Sequence, residues 1–232
     1  LWAHLGKELG VRPPELASLK ALYGRRSTLF EHQQLAQETL GLRWMTDHKR
    51  RALVAALRDE VTRVSDKDKL LTFARRWLYD HKLLIEHDRA LRAQIGAALD
   101  LLEAETGTSI TTTVPSAVLE KWRQTLAELR PDGQVQQSWL WEAPAKHSTV
   151  QITQVFERIC LLYSLDVHKH LGTLSDLIVR RYARQLANRP PSVGARIKEP
   201  RRTVEVACFL RYCLFTNTDQ AILMIQRRVT DL

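Results

Sequence analysis

Apolar residues recur at helical spacing along most of the chain. Leu53, Leu57, Val61 and Val64 fall at i, i+4, i+8 and i+11, which places them on one face of a helix. Comparable stripes occupy residues 91–102, 119–129, 152–163 and 177–186. No sustained apolar–polar alternation indicates a sheet, and Leu83-Leu84-Ile85 is at most a short extended piece. The pattern therefore predicts an all-α, multi-helix fold.

Capping residues mark the predicted helix ends. Thr46 precedes a charged first turn, and Pro115-Ser116 precede the helix of Trp122, so helices are expected to begin there. Stop signals are expected at Gly41, Gly107, Pro131-Asp132-Gly133 and Asn188.

A polar segment with proline and tryptophan, residues 131–148, is the best candidate boundary. It contains the Trp139-Leu140-Trp141 anchor and Pro144. A chain of 232 residues can form one large domain or two of ordinary size. We predict two helical subdomains joined by this Trp/Pro-containing linker. The first is 1–130, truncated at its start, and the second is 149–232, with a basic helix and loop.

Charge is distributed unevenly along the chain, whose net charge is +9. Residues 1–59 carry ten Lys/Arg against six acids, residues 60–142 eleven against thirteen, and residues 143–232 fourteen against seven. Two basic ends around a near-neutral middle indicate a polyanion footprint built from two regions. Ordinary solubilising charge is the alternative.

Several classes of protein are disfavoured by what the sequence lacks. The apolar runs are too short to cross a bilayer, and no signal peptide is evident. Because position 1 is Leu and both ends lie in helical patterns, we expect a fragment of a longer protein. Cys160, Cys208 and Cys213 lack paired CxxC spacing, so a zinc site is not expected. Cys208 and Cys213 lie in an apolar helical pattern, so they are expected to be buried thiols in a reducing cytoplasm.

Catalytic motifs are also missing. The chain contains no HExxH, GxSxG or glycine-rich phosphate loop, and His168-Lys169-His170 offers two histidines without a third ligand. A small helical enzyme has no positive support, and no cofactor or metal is expected in this chain.

The first candidate binding element is a helix–glycine–helix pattern from about Thr28 to Asp59. In a helix-turn-helix, the first residues of the second helix meet base edges while nearby cations hold phosphates. A plain helical hairpin with a solvated basic turn is the alternative. The candidate DNA contacts here are Arg25, Arg26, Lys49, Arg50 and Arg51.

The second candidate is the basic stretch of residues 174–202. Leu177, Ile178, Tyr182 and Leu186 form an apolar stripe that leaves arginines on another face. Residues 175–202 hold eight cations against two acids, which favours contacts with phosphate over a solvated helix face with a mobile loop. The candidate contacts are Arg180, Arg181, Arg184, Arg189, Arg196, Lys198, Arg201 and Arg202.

The third candidate is the tryptophan pair with the basic helix start that follows it. Trp139 and Trp141 could stack on bases, and Lys146 and His147 could contact a phosphate at the helix N-terminus. Tryptophans that pack between domains are the commoner explanation.

The second half of the chain resembles the Tn-three family of replicative transposases. Residues 139–149 (WLWEAPAKHST) look like the family's WLWExPxKHS passage, and residues 180–192 resemble its arginine helix and double-proline loop. Residues 198–214 (KEPRRTVEVACFLRYCL) form the most specific run, and residues 23–28 (YGRRST) resemble the amino-terminal domain more loosely.

This resemblance implies a role in DNA transposition. Such transposases bind the terminal inverted repeats of a transposon through amino-terminal helical domains. A separate carboxy-terminal domain with an RNase H-like fold and an Asp-Asp-Glu triad performs Mg²⁺-dependent strand transfer. The chain is therefore expected to bind double-stranded DNA at transposon ends in the bacterial cytoplasm, without enzymatic activity of its own.

The partners follow from this reading. Self-association is expected of the full-length protein, and neither a membrane nor a small-molecule substrate is expected. The alternative is a helical protein–protein interaction or assembly module of the transposase that makes no direct contact with DNA.

Overall fold

The fold consists of helices joined by short connections. The structure is a computed structural model that describes residues 26–64, 66–145, 148–171, 174–194 and 196–230. The helices within these ranges are α1 (Arg26–Leu40), α2 (Asp47–Glu60), α3 (Lys67–Asp80), α4 (Asp88–Thr113), α5 (Ser116–Ala127), α6 (Gln136–Trp141), α7 (Thr149–Ser164), α8 (Val167–His170), α9 (Asp176–Ala187), α10 (Pro191–Gly194) and α11 (Arg201–Thr230). The described residues form no strand, and two isolated bridges, Arg43–Leu83 and Leu129–Val135, are their only β pairing. The predicted all-α class is confirmed.

Local signals position the helix ends much as the sequence predicts. The Thr46 hydroxyl accepts a hydrogen bond from the Lys49 amide at 3.3 Å and caps α2. α5 begins at Ser116, directly after Pro115. Gly41 follows α1 with a φ of +62°, a left-handed conformation that favours glycine.

The predicted stop at Gly107 is wrong, because α4 continues through this residue to Thr113. Gly107 is buried, and a Cβ built on it would lie 2.5 Å from the Cβ of Pro200. Glycine therefore allows α4 and the start of α11 to approach closely, which is a packing role rather than a helix end.

One continuous core connects the two predicted subdomains. Its buried side chains run from Leu53 in α2 to Leu214 in α11. The predicted linker contributes to it, since α6 lies within residues 131–148 and buries Trp139 and Leu140. The division at 131–148 stays a prediction.

α4 contacts α2 and the start of α11 on opposite faces. Glu105 accepts a hydrogen bond from Arg58 of α2 at 2.8 Å, whereas Glu103 lies 3.9 Å from the Arg201 guanidinium at the start of α11. At 3.6 residues per turn, positions 103 and 105 point about 160° apart around the helix axis. α2 and the start of α11 therefore lie on nearly opposite sides of α4.

None of the helices in the described ranges is long and apolar enough to cross a membrane.

The three cysteines differ in exposure. Cys160 on α7 is exposed, whereas Cys208 and Cys213 are buried in α11, as the apolar pattern predicts. Burial raises the pKa of both α11 thiols, because the thiolate would lose its hydration.

We expect one thiol per native chain to react promptly with a disulfide reagent such as Ellman's reagent, and all three to react in denaturant. Cys160→Ser should remove the prompt phase and leave the two slow thiols unchanged. A prompt phase that persists in this variant would contradict the burial of the α11 cysteines.

Candidate nucleic-acid interface

The exposed face of α9 carries two arginines. Ile178, Tyr182 and Leu186 are buried against the core, as the predicted stripe requires. Arg180 and Arg184, one turn apart, lie on the exposed face. Within the described part of the chain, neither guanidinium has a hydrogen-bond or ion-pair partner. Both unpaired guanidiniums are therefore available to an anionic ligand.

The segment between α9 and α11 adds two further exposed cations. We call it the connecting segment and define it as residues 188–194 and 196–200. Arg196 and Lys198 are exposed and, among the described residues, have no side-chain partner. Together with Arg180 and Arg184 they form the set that we call the basic surface.

Arg181 differs from its neighbours on α9. Its side chain is half-buried and makes interactions of its own. Burial lowers the pKa of this guanidinium, because the charged form is poorly solvated there. It contributes less to the accessible charge than the sequence suggests.

Two predicted DNA contacts instead bind a carboxylate inside the protein. Glu205 is fully buried, and its Oε2 accepts a hydrogen bond from Arg189 while its Oε1 accepts one from Arg201 at 2.8 Å. Hydrogen bonding to Glu205 raises the pKa of Arg201. Their contact with DNA stays a prediction, but the structure gives both arginines an internal partner that their sequence neighbourhood does not suggest.

Arg202 lies next to Arg201 but lines a cavity instead of binding Glu205. It is half-buried and lines a cavity of about 50 Å³ together with Arg123 and Gln137. Arg123 in turn donates to Glu199 at 2.7 Å and to the Thr203 hydroxyl at 2.8 Å. Arg202 has no such acid partner within the described residues.

The amino-terminal candidate is only partly described. Arg25 lies outside the described residues, and Arg26 begins α1 with a side chain that also lies outside them. The predicted order of helix, glycine and helix is present, with α1 ending at Leu40 and α2 beginning at Asp47. Recognition of a DNA groove by α2 stays a prediction.

The cations of α2 have mixed surroundings. Arg50 binds Asp47 at 3.1 Å and Glu86 at 3.2 Å, so its charge is largely compensated. Arg51 is exposed and Lys49 half-buried, and neither side chain has a partner among the described residues. The net cationic character here is weaker than that of the basic surface.

The two cationic regions adjoin helices that contact opposite faces of α4. α2 lies against one face of α4, whereas Arg201 and the start of α11 lie against the opposite face. A single footprint built from both regions stays a prediction.

Both tryptophans pack against other side chains of the protein. Trp139 is buried, with the Arg130 guanidinium carbon 3.7 Å and that of Arg158 5.1 Å from its ring centroid. Trp141 stacks on Phe209 and Tyr212 of α11 at centroid distances of 5.7 and 5.0 Å. Both tryptophans therefore pack against the protein, as the packing interpretation predicts, and base stacking stays a prediction. The predicted contacts Lys146 and His147 lie outside the described residues.

The histidine pair also has structural neighbours. His168 packs on Tyr163 with centroids 4.6 Å apart, and His170 meets the edge of Trp122 at 6.3 Å. In the described part of the chain, no three His, Cys, Asp or Glu side chains are grouped to hold a metal ion.

Sequence reasoning missed Glu205 and Arg158. Glu205 interrupts the apolar run of residues 204–210 and lies four residues after Arg201, a spacing at which an acid and a base can pair on a helix. That signal was present. Arg158 is 3% exposed and donates to the Glu142 carbonyl, a contact that only the tertiary fold creates.

Comparison with known proteins shows what this chain is similar to. Residues 1–98 match a family model described as a domain of unknown function, DUF4158. Over its whole length, 232 residues, the chain is 65% identical to the transposase for insertion sequence element IS1071 in transposon Tn5271 of Comamonas testosteroni. The resemblance to a Tn-three family transposase is confirmed.

The chain corresponds to only part of that transposase. The chain spans 24% of the length of that transposase. The DUF4158 model ends at residue 98, within α4, whereas the stretch that is similar to the transposase also includes the basic surface. Both cationic regions therefore lie within the part that resembles a transposase.

Proposed function

We propose that this chain binds double-stranded DNA at the terminal inverted repeats of a transposable element, as part of a Tn-three family transposase. The similar protein's name supports a role in transposition. The observation that carries the DNA-binding step is the basic surface, whose four exposed cations have no acidic partner among the described residues.

Phosphate is the ligand that this chemistry fits best. A guanidinium can donate two parallel hydrogen bonds to a phosphate, and Arg180 and Arg184 are close enough, about 6 Å apart at Cβ, to contact one backbone together. Lys198 and Arg196 extend the charge beyond the end of α9. Arg202, Lys49 and Arg51 are secondary contacts in this proposal, and Arg189 and Arg201 bind Glu205.

The assignment of strand transfer to another domain follows from the resemblance to Tn-three family transposases. Strand transfer is a property of a separate domain that carries the Asp-Asp-Glu triad and its Mg²⁺. Binding by this chain therefore needs no metal, in a protein that works on DNA in the bacterial cytoplasm.

The test is fluorescence anisotropy on a labelled terminal-repeat duplex and a scrambled duplex across a salt series. In a variant with Arg180, Arg184, Arg196 and Lys198 all changed to alanine, the slope of log affinity against log salt should become shallower by about 3 to 4, because up to four phosphate contacts are lost. Affinity for both duplexes should fall together, since phosphate contacts carry no sequence information.

A matched variant controls for net charge. Arg63, Lys67, Lys69 and Arg89 are exposed and have no side-chain partner among the described residues. Their replacement by alanine removes the same charge from another part of the surface and should change the slope far less. Equal losses in the two variants would refute the basic surface as the contact, and equal binding of repeat and scrambled duplexes would refute sequence-specific recognition. Binding should persist in EDTA.

One observation favours the assembly alternative. Phe215, Ile222 and Val229 are exposed at seven-residue spacing on α11, as on a helix that pairs with another helix. Light scattering after size exclusion separates the two functions, because a stable dimer that is indifferent to duplex would support assembly without DNA contact.

A further inference from the structure

The connecting segment is fastened at both ends by charged groups. At its start, Arg189 donates to Oε2 of Glu205. Just after its end, Arg201 donates to Oε1 of the same carboxylate at 2.8 Å. One buried carboxylate therefore bridges the two ends of the segment that presents Arg196 and Lys198.

Further bonds tie this bridge to the helices around it. The Arg201 Nη2 donates to Gln185 of α9 at 2.9 Å, and its Nε lies 3.9 Å from Glu103 of α4. Near the end of the segment, the Glu199 carboxylate accepts hydrogen bonds from the Thr203 amide at 3.1 Å and from the Thr203 hydroxyl at 2.7 Å. The segment is thereby held in a fixed position relative to α9, α4 and α11.

The burial of Glu205 shows that this arrangement depends on pairing. A carboxylate without solvent exposure, in an apolar stretch of α11, is costly unless cations and hydrogen bonds compensate it. If either arginine left to bind DNA, Glu205 would lose half of that compensation. Arg189 and Arg201, whose side chains are 26% and 43% exposed, are therefore held against α11 by the same bonds that hold the segment.

We propose that Glu205 is a positioning residue, whose buried carboxylate fixes the spacing between the exposed cations of the connecting segment and those of α9. This inference rests on the proposed DNA-binding function. It assigns Arg189 and Arg201 to the support of the surface rather than to contact with phosphate.

Glu205→Gln tests the proposal, because simple electrostatics and positioning predict opposite results. The variant is nearly isosteric but has one negative charge fewer and releases two arginines, so charge alone would tighten DNA binding. Positioning predicts that affinity for duplex falls by roughly tenfold at about 100 mM salt, where phosphate contacts still dominate binding. Glu157→Gln, at an exposed position on α7, makes the same charge change and should not weaken binding.

A second measurement does not depend on DNA. Trypsin cleavage after Arg196 and Lys198, followed by mass spectrometry, reports how firmly the segment is held. It should be slow in the native chain and at least several times faster in Glu205→Gln, while cleavage after Arg63 keeps its rate.

Arg189→Gln covers the case in which Glu205→Gln does not fold, because it leaves the Arg201–Glu205 bond in place. It should also accelerate cleavage after Arg196 and Lys198. Unchanged cleavage in a folded variant, or tighter duplex binding by Glu205→Gln, would overturn the positioning role. Failure of the native chain to bind any duplex would instead refute the proposed function, and the cleavage rates would still report on Glu205.

Discussion

Replacing Trp122 with alanine will lower the free energy of unfolding by about 3–5 kcal/mol, the range for removal of a large aromatic side chain from a core. Trp122 is the largest of the fully buried side chains in the described ranges. Its indole N–H donates to the Leu165 carbonyl at 2.8 Å, which links α5 to the turn between α7 and α8. Alanine would leave a cavity and an unpaired buried carbonyl, and urea denaturation followed by circular dichroism measures the loss.

Trp44 supplies the matched control for this change. It is 55% exposed in the loop between α1 and α2, so Trp44→Ala should change stability by no more than about 1 kcal/mol. Trp122→Phe keeps most of the volume but loses the donor, and its effect should lie between those two. Similar losses at Trp122 and Trp44 would show that Trp122 does not occupy the core.

Gly107→Ala will destabilise the protein by about 1–3 kcal/mol, although alanine is the better helix former. The added methyl group would lie 2.5 Å from the Cβ of Pro200 and 3.5 Å from a methyl carbon of Val204. The ring of Pro200, which directly precedes α11, is rigid, so α4 and α11 would have to move apart. Thermal or urea unfolding measures this change.

Gly96 lies in the same helix and gives the opposite expectation. A Cβ at Gly96 would meet no atom within 4 Å. Gly96→Ala should therefore stabilise the protein by about 0.5–1 kcal/mol through helix propensity and a less flexible unfolded chain. If both alanines stabilise, the close approach of α4 and α11 is not as the structure describes it.

The helices were predictable because the apolar spacing and the capping groups are local signals. The stripe of α9 separates Tyr182 from Arg180 and Arg184, and the structure places the first inside and the other two outside. Thr46 and Pro115 mark helix starts for the same reason, because each signal depends only on the residues of its own turn.

The features that could not be predicted depend on contacts between residues that are distant in the sequence. Gly107 ends a helix in many proteins, and only the neighbouring Pro200 reveals its packing role. Counting cations over residues 175–202 treats Arg189 and Arg201 as free, because their acid lies just beyond that window. The candidate site was thus recognisable from charge, whereas the division between exposed contacts and internal supports required the tertiary structure.

The position of α4 has a consequence for folding. α4 contacts α2 on one side and the start of α11 on the other, so it packs against helices of both predicted subdomains. In the amino-terminal piece produced by a cut within residues 131–148, the face of α4 that contacts the start of α11 would be exposed to water.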